Sequence, residues 1–168
     1  MTTEKLYSTK NDLSFAIREK SIALLNQQLA DTSDLFSHTK QAHWNVKGVQ
    51  FYQLHLLFDT LAEAVLDYVD LIAERAISLG GTAAGTTRMS AEASRLPEYP
   101  IDAVDGGEHI EALSERYAAV ATSSRAAIDR AATLGDADTC DVFTEISRGL
   151  DKHLWVLEAH CQGKRNSL

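Results

Sequence analysis

Two pairs of potential metal ligands occur on one predicted helix of this 168-residue chain. His55 and Asp59 form the first pair, and Asp70 and Glu74 form the second. Residues four positions apart lie on the same side of a helix, so both members of a pair can reach one ion. Imidazole and carboxylate groups with room for water suit iron, although zinc and manganese compete for such ligands. The spacing predicts a metal site, against the alternative that these residues form an ordinary solvated face.

The two pairs are too far apart to share one ion within a straight helix. Asp59 and Asp70 are separated by roughly 16 Å along the axis, at ~1.5 Å per residue. If two copies of the helix pack antiparallel across a two-fold axis, the first pair of one copy meets the second pair of the other. We therefore expect two equivalent sites shared between subunits. His43, just before the turn into this helix, is expected as a further ligand, although a histidine near a helix end is more often a packing residue.

The face that carries the ligand pairs is also apolar. It includes Leu66, Ala73 and Ile77, while a separate apolar stripe on the same helix faces the core of the chain. A helix that is apolar nearly all round is covered on both sides. We therefore expect a second copy of the chain to cover the ligand-bearing face.

Helical periodicity accounts for the first half of the chain. Apolar residues at three-and-four spacing predict long helices over about residues 11–44 and 51–79. A turn at residues 45–48 separates them, and Gly80 and Gly81 end the second. Two long antiparallel helices are therefore expected.

A long crossover separates this hairpin from a second one. Asp105 is a favourable N-cap for a third long helix, and a fourth is expected from about Asp138. Residues 81–104 form a segment long enough to run along the bundle. A short helix is expected within it, over about residues 88–94. Two hairpins joined by one long crossover is the ferritin-like connectivity. The predicted fold is all-α, a ferritin-like four-helix bundle with a short helix in the crossover between helices two and three.

Four sequence motifs are spread along the chain. They are Lys40-Gln-Ala-His-Trp-Asn45, then His55-x-x-x-Asp59 followed after ten residues by Asp70-x-x-x-Glu74-Arg75, then Leu79-Gly-Gly81, and finally Asp151-Lys-His-Leu-Trp155. Together they resemble the Dps family, the mini-ferritins of starved bacteria, over nearly the whole chain. The resemblance implies a dodecameric shell that oxidises iron(II), preferentially with hydrogen peroxide, and stores iron(III) as a mineral inside.

The resemblance also implies roles for individual residues. The metal is expected to bind His43, His55 and Asp59 of one subunit with Asp70 and Glu74 of its two-fold mate. The resemblance further implies that Trp44 absorbs stray oxidising equivalents and that Asp141, with Asp136 and Asp138 close by, lies at a three-fold ion pore. The alternatives are a packing indole and ordinary acidic residues at a helix N-terminus, which the helix dipole favours.

The chain departs from the family pattern at two acidic positions. Leu56 stands where many relatives have glutamate, and Gly149 replaces an acidic residue found in some of them. The first change affects the inner surface that nucleates mineral, where Glu63 and Asp67 are the expected substitutes.

The net charge of −8 excludes a protein whose whole surface binds nucleic acid, because phosphate binding needs a positive field. DNA binding is therefore expected to be weak and to depend on the tails. The candidate contacts lie in the tails expected over residues 1–10 and 163–168: Lys5, Lys10, Lys164 and Arg165.

Length and composition favour a single domain over residues 1–168. No stretch approaches ~18 consecutive apolar residues, and no secretory signal is recognisable at the N-terminus. Cys140 and Cys161 suggest no disulfide framework. A cytoplasmic protein is expected, with association with the nucleoid as an open alternative.

Other functions compete with an iron-oxidising oxidoreductase. A conventional ferritin builds its site inside one bundle with Glu-x-x-His motifs, and the chain contains none. A hydrolase would need a nucleophile, a histidine and an acid, which the spacing does not place together. The main alternative is a nucleoid-associated structural protein with little metal chemistry.

Overall fold

The computed structural model describes residues 6–162, and the fold over that range is entirely helical apart from turns and links. The helices are α1 (Phe15–Asn45), α2 (Phe51–Ser78), α3 (Thr87–Ala93), α4 (Gly106–Leu134) and α5 (Ala137–Gln162). The four long helices form the bundle, and α3 lies in the crossover. This arrangement confirms the predicted all-α bundle with a short crossover helix. Across the described range, no helix is long and apolar enough to cross a membrane.

Side-chain caps set where α1 and α4 begin. Ser14 Oγ accepts a hydrogen bond from the N–H of Ile17, so α1 begins later than predicted. Asp105 caps α4 as predicted, because its carboxylate accepts from the N–H groups of Gly107 and Glu108. The Glu108 carboxylate accepts from the N–H of Asp105 in return. This reciprocal pair fixes the point where the crossover joins the second hairpin.

Glycines with positive φ follow the ends of two long helices. Gly80 has a φ of 85° and Gly135 a φ of 79°, a region that residues with a Cβ rarely adopt. The carbonyl of Gly80 also accepts the N–H of Tyr7 at 2.7 Å. Within the N-terminal tail predicted over residues 1–10, Tyr7 is therefore bonded to the turn that follows α2.

All four long helices contribute side chains to the core. Those that are fully buried include Leu25 and Leu35 of α1, Phe58 and Ile72 of α2, Leu113 and Tyr117 of α4, and Phe143 and Leu150 of α5. Each large apolar side chain that is removed from water contributes roughly 1.5–3 kcal/mol to folding. The core positions on α2 point away from the ligand-bearing face, as the periodicity predicted.

A glycine allows α5 to approach α2 closely. A Cβ added at Gly149 would lie only 1.8 Å from Tyr68 Oη. Gly149, which the sequence showed only as a departure from the family pattern, is therefore required by packing.

Polar side chains attach the crossover to α1 and α4. The Arg116 guanidinium, only 4% exposed, donates to the carbonyls of Pro97 and Glu98. Arg95 is paired with the buried Asp31 carboxylate of α1. The Arg116 bonds satisfy backbone carbonyls in a segment without regular structure of its own.

Two buried histidines pack beside Tyr99 in the same crossover. Tyr99 Oη lies 2.7 Å from His109 Nδ1, and the Tyr99 ring centroid lies 5.4 Å from that of His38. Burial lowers the pKa of His109, and it also lowers the pKa of His38 despite the nearby Asp34 carboxylate. The folded chain therefore favours neutral imidazoles at both positions.

Candidate metal centre

His43 and His55 are joined across the turn between α1 and α2 by reciprocal hydrogen bonds. His43 Nδ1 lies 2.8 Å from the carbonyl oxygen of His55, and His55 Nδ1 lies 2.9 Å from the carbonyl oxygen of His43. A ring nitrogen that faces a carbonyl oxygen must donate, so each imidazole carries its proton on Nδ1. In this tautomer of the neutral ring Nε2 carries the lone pair, which is what a metal ligand needs. The rings are stacked, with centroids 3.8 Å apart.

The Asp59 carboxylate lies beside this histidine pair. Its Oδ1 is 3.8 Å from His43 Nδ1 and 2.6 Å from Lys40 Nζ. The hydrogen bond from Lys40 is the main cause that lowers the pKa of Asp59, and the nearby histidines add to the effect. The carboxylate is therefore held ionised. The Lys40 ammonium group lies where the carboxylate would attract a metal cation.

Sequence reasoning missed this role of Lys40. The residue appeared only as the first position of a motif. The available signal was its position three residues before His43, which puts both side chains on one side of α1.

The second ligand pair remains apart from the first within one chain. Asp70 and Glu74 are both exposed on the second half of α2. Over residues 6–162, no group of three or more His, Cys, Asp or Glu residues is placed to hold a metal ion. His43, His55 and Asp59 are neighbours, but they do not form a complete metal site within one chain, and the other two predicted ligands lie at a separate place on α2.

The ligand-bearing face of α2 is uncovered in the single chain. Leu56, Leu66 and Ile77 are 47%, 48% and 54% exposed. These are large apolar side chains on the same helix as all four ligands of the two pairs. An exposed apolar surface that continues along a helix indicates an interaction site.

Trp44 lies beside the histidine pair but does not serve as a packing residue within the chain. Its side chain is 67% exposed, and Lys40 Nζ lies 5.7 Å from the indole centroid. Lys40 therefore contacts both the candidate ligand Asp59 and the neighbouring indole.

The acidic residues at the start of α5 divide into two groups. Asp138 and Asp141 are exposed, whereas Asp136 is buried, accepts hydrogen bonds from Thr139 and pairs with Arg75 at 2.7 Å. Burial alone would raise the pKa of Asp136, but hydrogen bonds, the strongest from Thr139, outweigh burial and lower it. The Asp136 carboxylate thus faces inward and caps α5, so that Asp138 and Asp141 are the exposed members of the group predicted to line an ion pore.

The predicted DNA contacts lie mostly outside the described residues. Lys5, Lys164 and Arg165 fall there, and Lys10 is an exposed residue of the described N-terminal segment.

Comparison with known proteins identifies the family. The model of the ferritin-like domain matches residues 22–165 of the chain. DpsC from Streptomyces coelicolor has a TM-score of 0.89 at 32% identity, with 96% of this chain and 95% of that one covered. A DNA protection during starvation protein of Agrobacterium fabrum is 46% identical over 160 residues, which cover 95% of this chain and 99% of that relative. The chain belongs to the Dps family.

Membership of the Dps family confirms the resemblance inferred from the four motifs. A Dps of Mycobacterium smegmatis superposes with a TM-score of 0.87 at 29% identity, with 93% of this chain and 94% of that one covered. The Dps match extends along the whole bundle, so both halves of the proposed ligand set lie within it.

Proposed function

We propose that the chain is a subunit of an iron-oxidising, iron-storing mini-ferritin that protects the cell and its DNA from oxidative damage. The observation that carries this proposal is the reciprocal His43–His55 pair, in which each ring uses Nδ1 on a carbonyl and leaves Nε2 for a metal, with the ionised Asp59 carboxylate beside His43. Two imidazole nitrogens and a carboxylate are a suitable donor set for iron(II). Membership of the ferritin-like family supports iron as the substrate.

A second copy of the chain completes each site in this proposal. The partner's Asp70 and Glu74 supply the missing carboxylates when two α2 helices pack antiparallel. The exposed Leu66 and Ile77 support this arrangement, because pairing of the two helices would remove them from water. The proposed assembly is a cytoplasmic dodecamer with two such sites at each two-fold axis.

The reaction joins iron oxidation to peroxide removal. Each of two iron(II) ions gives one electron to hydrogen peroxide, whose O–O bond breaks, and two protons are taken up to form two water molecules. The carboxylates stabilise the increased charge of the iron(III) product, and the Nδ1 bonds hold both imidazoles in orientation. Removing iron(II) and peroxide together prevents hydroxyl-radical formation, which is the proposed basis of DNA protection.

Two further groups have proposed roles around the site. The exposed Trp44 indole would supply electrons to stray oxidising equivalents, so that they are consumed beside the metal. Asp138 and Asp141, exposed at the start of α5, would attract iron(II) to an entry pore in the assembly.

The test is an anaerobic iron(II) titration followed by addition of peroxide, with Asp59→Asn and Glu74→Gln combined in one variant. We expect an intact assembly that has lost most of the fast oxidation, because each change removes a charged ligand while conserving shape. The matched control is Asp102→Asn with Glu111→Gln, two exposed carboxylates elsewhere. Wild-type kinetics in the ligand variant would overturn the site, and failure to assemble would assign these groups a structural role.

A nucleoid-associated structural protein is the second candidate, favoured by the name of the Agrobacterium relative. The net charge of −8 argues against a large DNA-binding surface. Because Tyr7 is bonded to Gly80 after the end of α2, the tails are best tested by removing residues 1–5 and 163–168 and changing Lys10→Gln. We expect weak, salt-sensitive DNA binding that disappears in this variant. Tight binding that survives would support the second candidate.

A further inference from the structure

A groove between α1 and α4 is not used by the proposed iron chemistry. It has a volume of about 680 Å³, within the ~300–1,000 Å³ typical of small-molecule sites. Lys20, at one end of it, precedes His43 on α1 by roughly 35 Å at ~1.5 Å per residue. The groove is therefore well separated from His43 along α1.

Short side chains leave this groove open, and the polar side chains on its floor already have hydrogen-bond partners within the chain. Ala23 of α1 and Ala126 of α4 line it and leave space between the helices. On the floor, Gln28 Nε2 donates to the carbonyl of Ser123, and Ser123 Oγ donates to Gln28 Oε1. A ligand would therefore be recognised by the charged groups at the rim.

The rim has a positive charge that is unusual in this acidic chain. Lys20, Arg95 and Arg130 line the groove, with Asp129 as the one acidic residue of the lining. Arg95 uses Nε and Nη2 on Asp31, which leaves Nη1 available. Lys20 and Arg130 are exposed and have neither a hydrogen bond nor an ion pair within the described range.

The groove differs in charge from a second cavity in the described part of the chain. That cavity, of about 360 Å³, is lined by five acidic residues and one arginine. Elsewhere, Lys40, Arg75 and Arg125 are each paired with a carboxylate. The lining of the groove, in contrast, contains three basic residues and one acidic residue.

We propose that this groove binds a short phosphate-bearing anion, a polyphosphate or a nucleotide, through Lys20, Arg95 and Arg130. Like charges gathered around one groove repel each other, and an anion between them relieves that repulsion while gaining charge-assisted hydrogen bonds. An elongated anion with several charges contacts more of the rim than a single phosphate does. A DNA duplex is too wide to enter between two adjacent helices, whose axes lie ~8–10 Å apart.

Binding is tested by titration calorimetry of the intact assembly with sodium tripolyphosphate, at low ionic strength and without metal. The groove variant is Lys20→Gln with Arg130→Gln. The matched control is Arg88→Gln with Arg148→Gln, which removes the same charge from exposed positions outside the lining. We expect the groove variant to bind at least about tenfold more weakly, since a hydrogen bond to a charged group contributes roughly a factor of ten or more. The control should bind as the wild type does.

Further variants and ligands separate the possible outcomes. Ala126→Glu keeps all three cations but places a negative charge in the groove, and it should also weaken binding. ATP compared with adenosine distinguishes recognition of the phosphate chain from recognition of the base. Absence of wild-type binding, equal weakening in the control, or retained affinity in both groove variants would each overturn the proposal. None of these results depends on iron oxidation.

Discussion

At the scale of single residues, hydrogen bonds orient the two histidines for metal binding, and Lys40 competes with a metal ion for the Asp59 carboxylate. His43 and His55 each use Nδ1 on the other's carbonyl, so neither ring has to change its tautomer to bind a metal at Nε2. Asp59, in contrast, is in contact with the Lys40 ammonium group. A metal ion at Asp59 must displace this ammonium group or share the carboxylate with it.

Replacing Lys40→Met should strengthen metal binding at neutral pH, because it removes the competing cation while keeping most of the side-chain volume. We expect a gain of roughly several-fold, as for other partly exposed ion pairs. Zinc(II) or anaerobic iron(II) titration measures it. Lys47→Met, which changes an exposed lysine in the α1–α2 turn, should leave affinity unchanged. Weaker binding in Lys40→Met would show that the lysine supports the site instead.

At the scale of elements, the crossover between the two hairpins is held by a polar cluster. Arg116 bonds its carbonyls, and Tyr99 lies against His38 and His109. Burial favours the neutral form of both histidines, and protonation of His38 would place a second positive charge near the Arg116 guanidinium. The link between α3 and α4 should therefore be sensitive to acid.

We expect the pH dependence of stability to change in His38→Gln with His109→Gln. The lowered pKa of each histidine means that the folded chain binds fewer protons than the unfolded chain. The stability they contribute is complete above the unfolded pKa of about 6.5 and is lost as pH falls toward the folded value. Thermal unfolding from pH 8 to pH 5 should therefore show a smaller loss in the variant than in wild type, whereas the exposed-site control His160→Gln should behave as wild type. Equal losses in all three proteins would contradict this account.

A single added methyl group should disturb the packing of α5 on α2. Gly149→Ala introduces a Cβ that overlaps Tyr68 Oη. Alanine normally stabilises a helix interior relative to glycine by ~0.5–1 kcal/mol, but overpacking typically destabilises by ~1–3 kcal/mol. We expect a lower free energy of unfolding by denaturant. In a Tyr68→Ala background the same change should become stabilising, and an equal loss in both backgrounds would exclude the contact as the cause.

At the scale of the whole molecule, the proposed centre exists only between copies of the chain. The candidate ligands of one chain lie at two separate places, around the α1–α2 turn and on the second half of α2, and the apolar residues Leu66 and Ile77 on the ligand-bearing face of α2 are exposed. Assembly would therefore create the site and bury the surface that drives association in the same step.

Mixing two inactive variants should restore part of the activity. One variant has His55→Ala and Asp59→Ala, and the other has Asp70→Ala and Glu74→Ala. In a mixed dimer one site receives both damaged halves and the other is wholly wild type. With random pairing about half of the dimers are mixed, so roughly a quarter of the wild-type sites should return. Iron oxidation after co-refolding measures this fraction, and no recovery in a mixed shell would exclude shared sites.

The sequence by itself determined the helices and the candidate ligands. The features that determine the helices act through neighbours a few residues away, so their effects can be inferred without the tertiary structure. They are the three-and-four spacing of apolar residues, the Asp105 cap and the glycines after α2 and α4. The His55/Asp59 pair was recognisable for the same reason, since helical geometry alone puts both residues on one side.

Only the tertiary structure decided how distant residues meet. The Lys40–Asp59 contact joins α1 to α2, and the Tyr68–Gly149 contact joins α2 to α5. The inward orientation of the Asp136 carboxylate likewise depends on Arg75, which lies on α2. No spacing within one helix encodes such contacts, because they arise when separately formed helices pack and each side chain takes the partner that packing brings within reach.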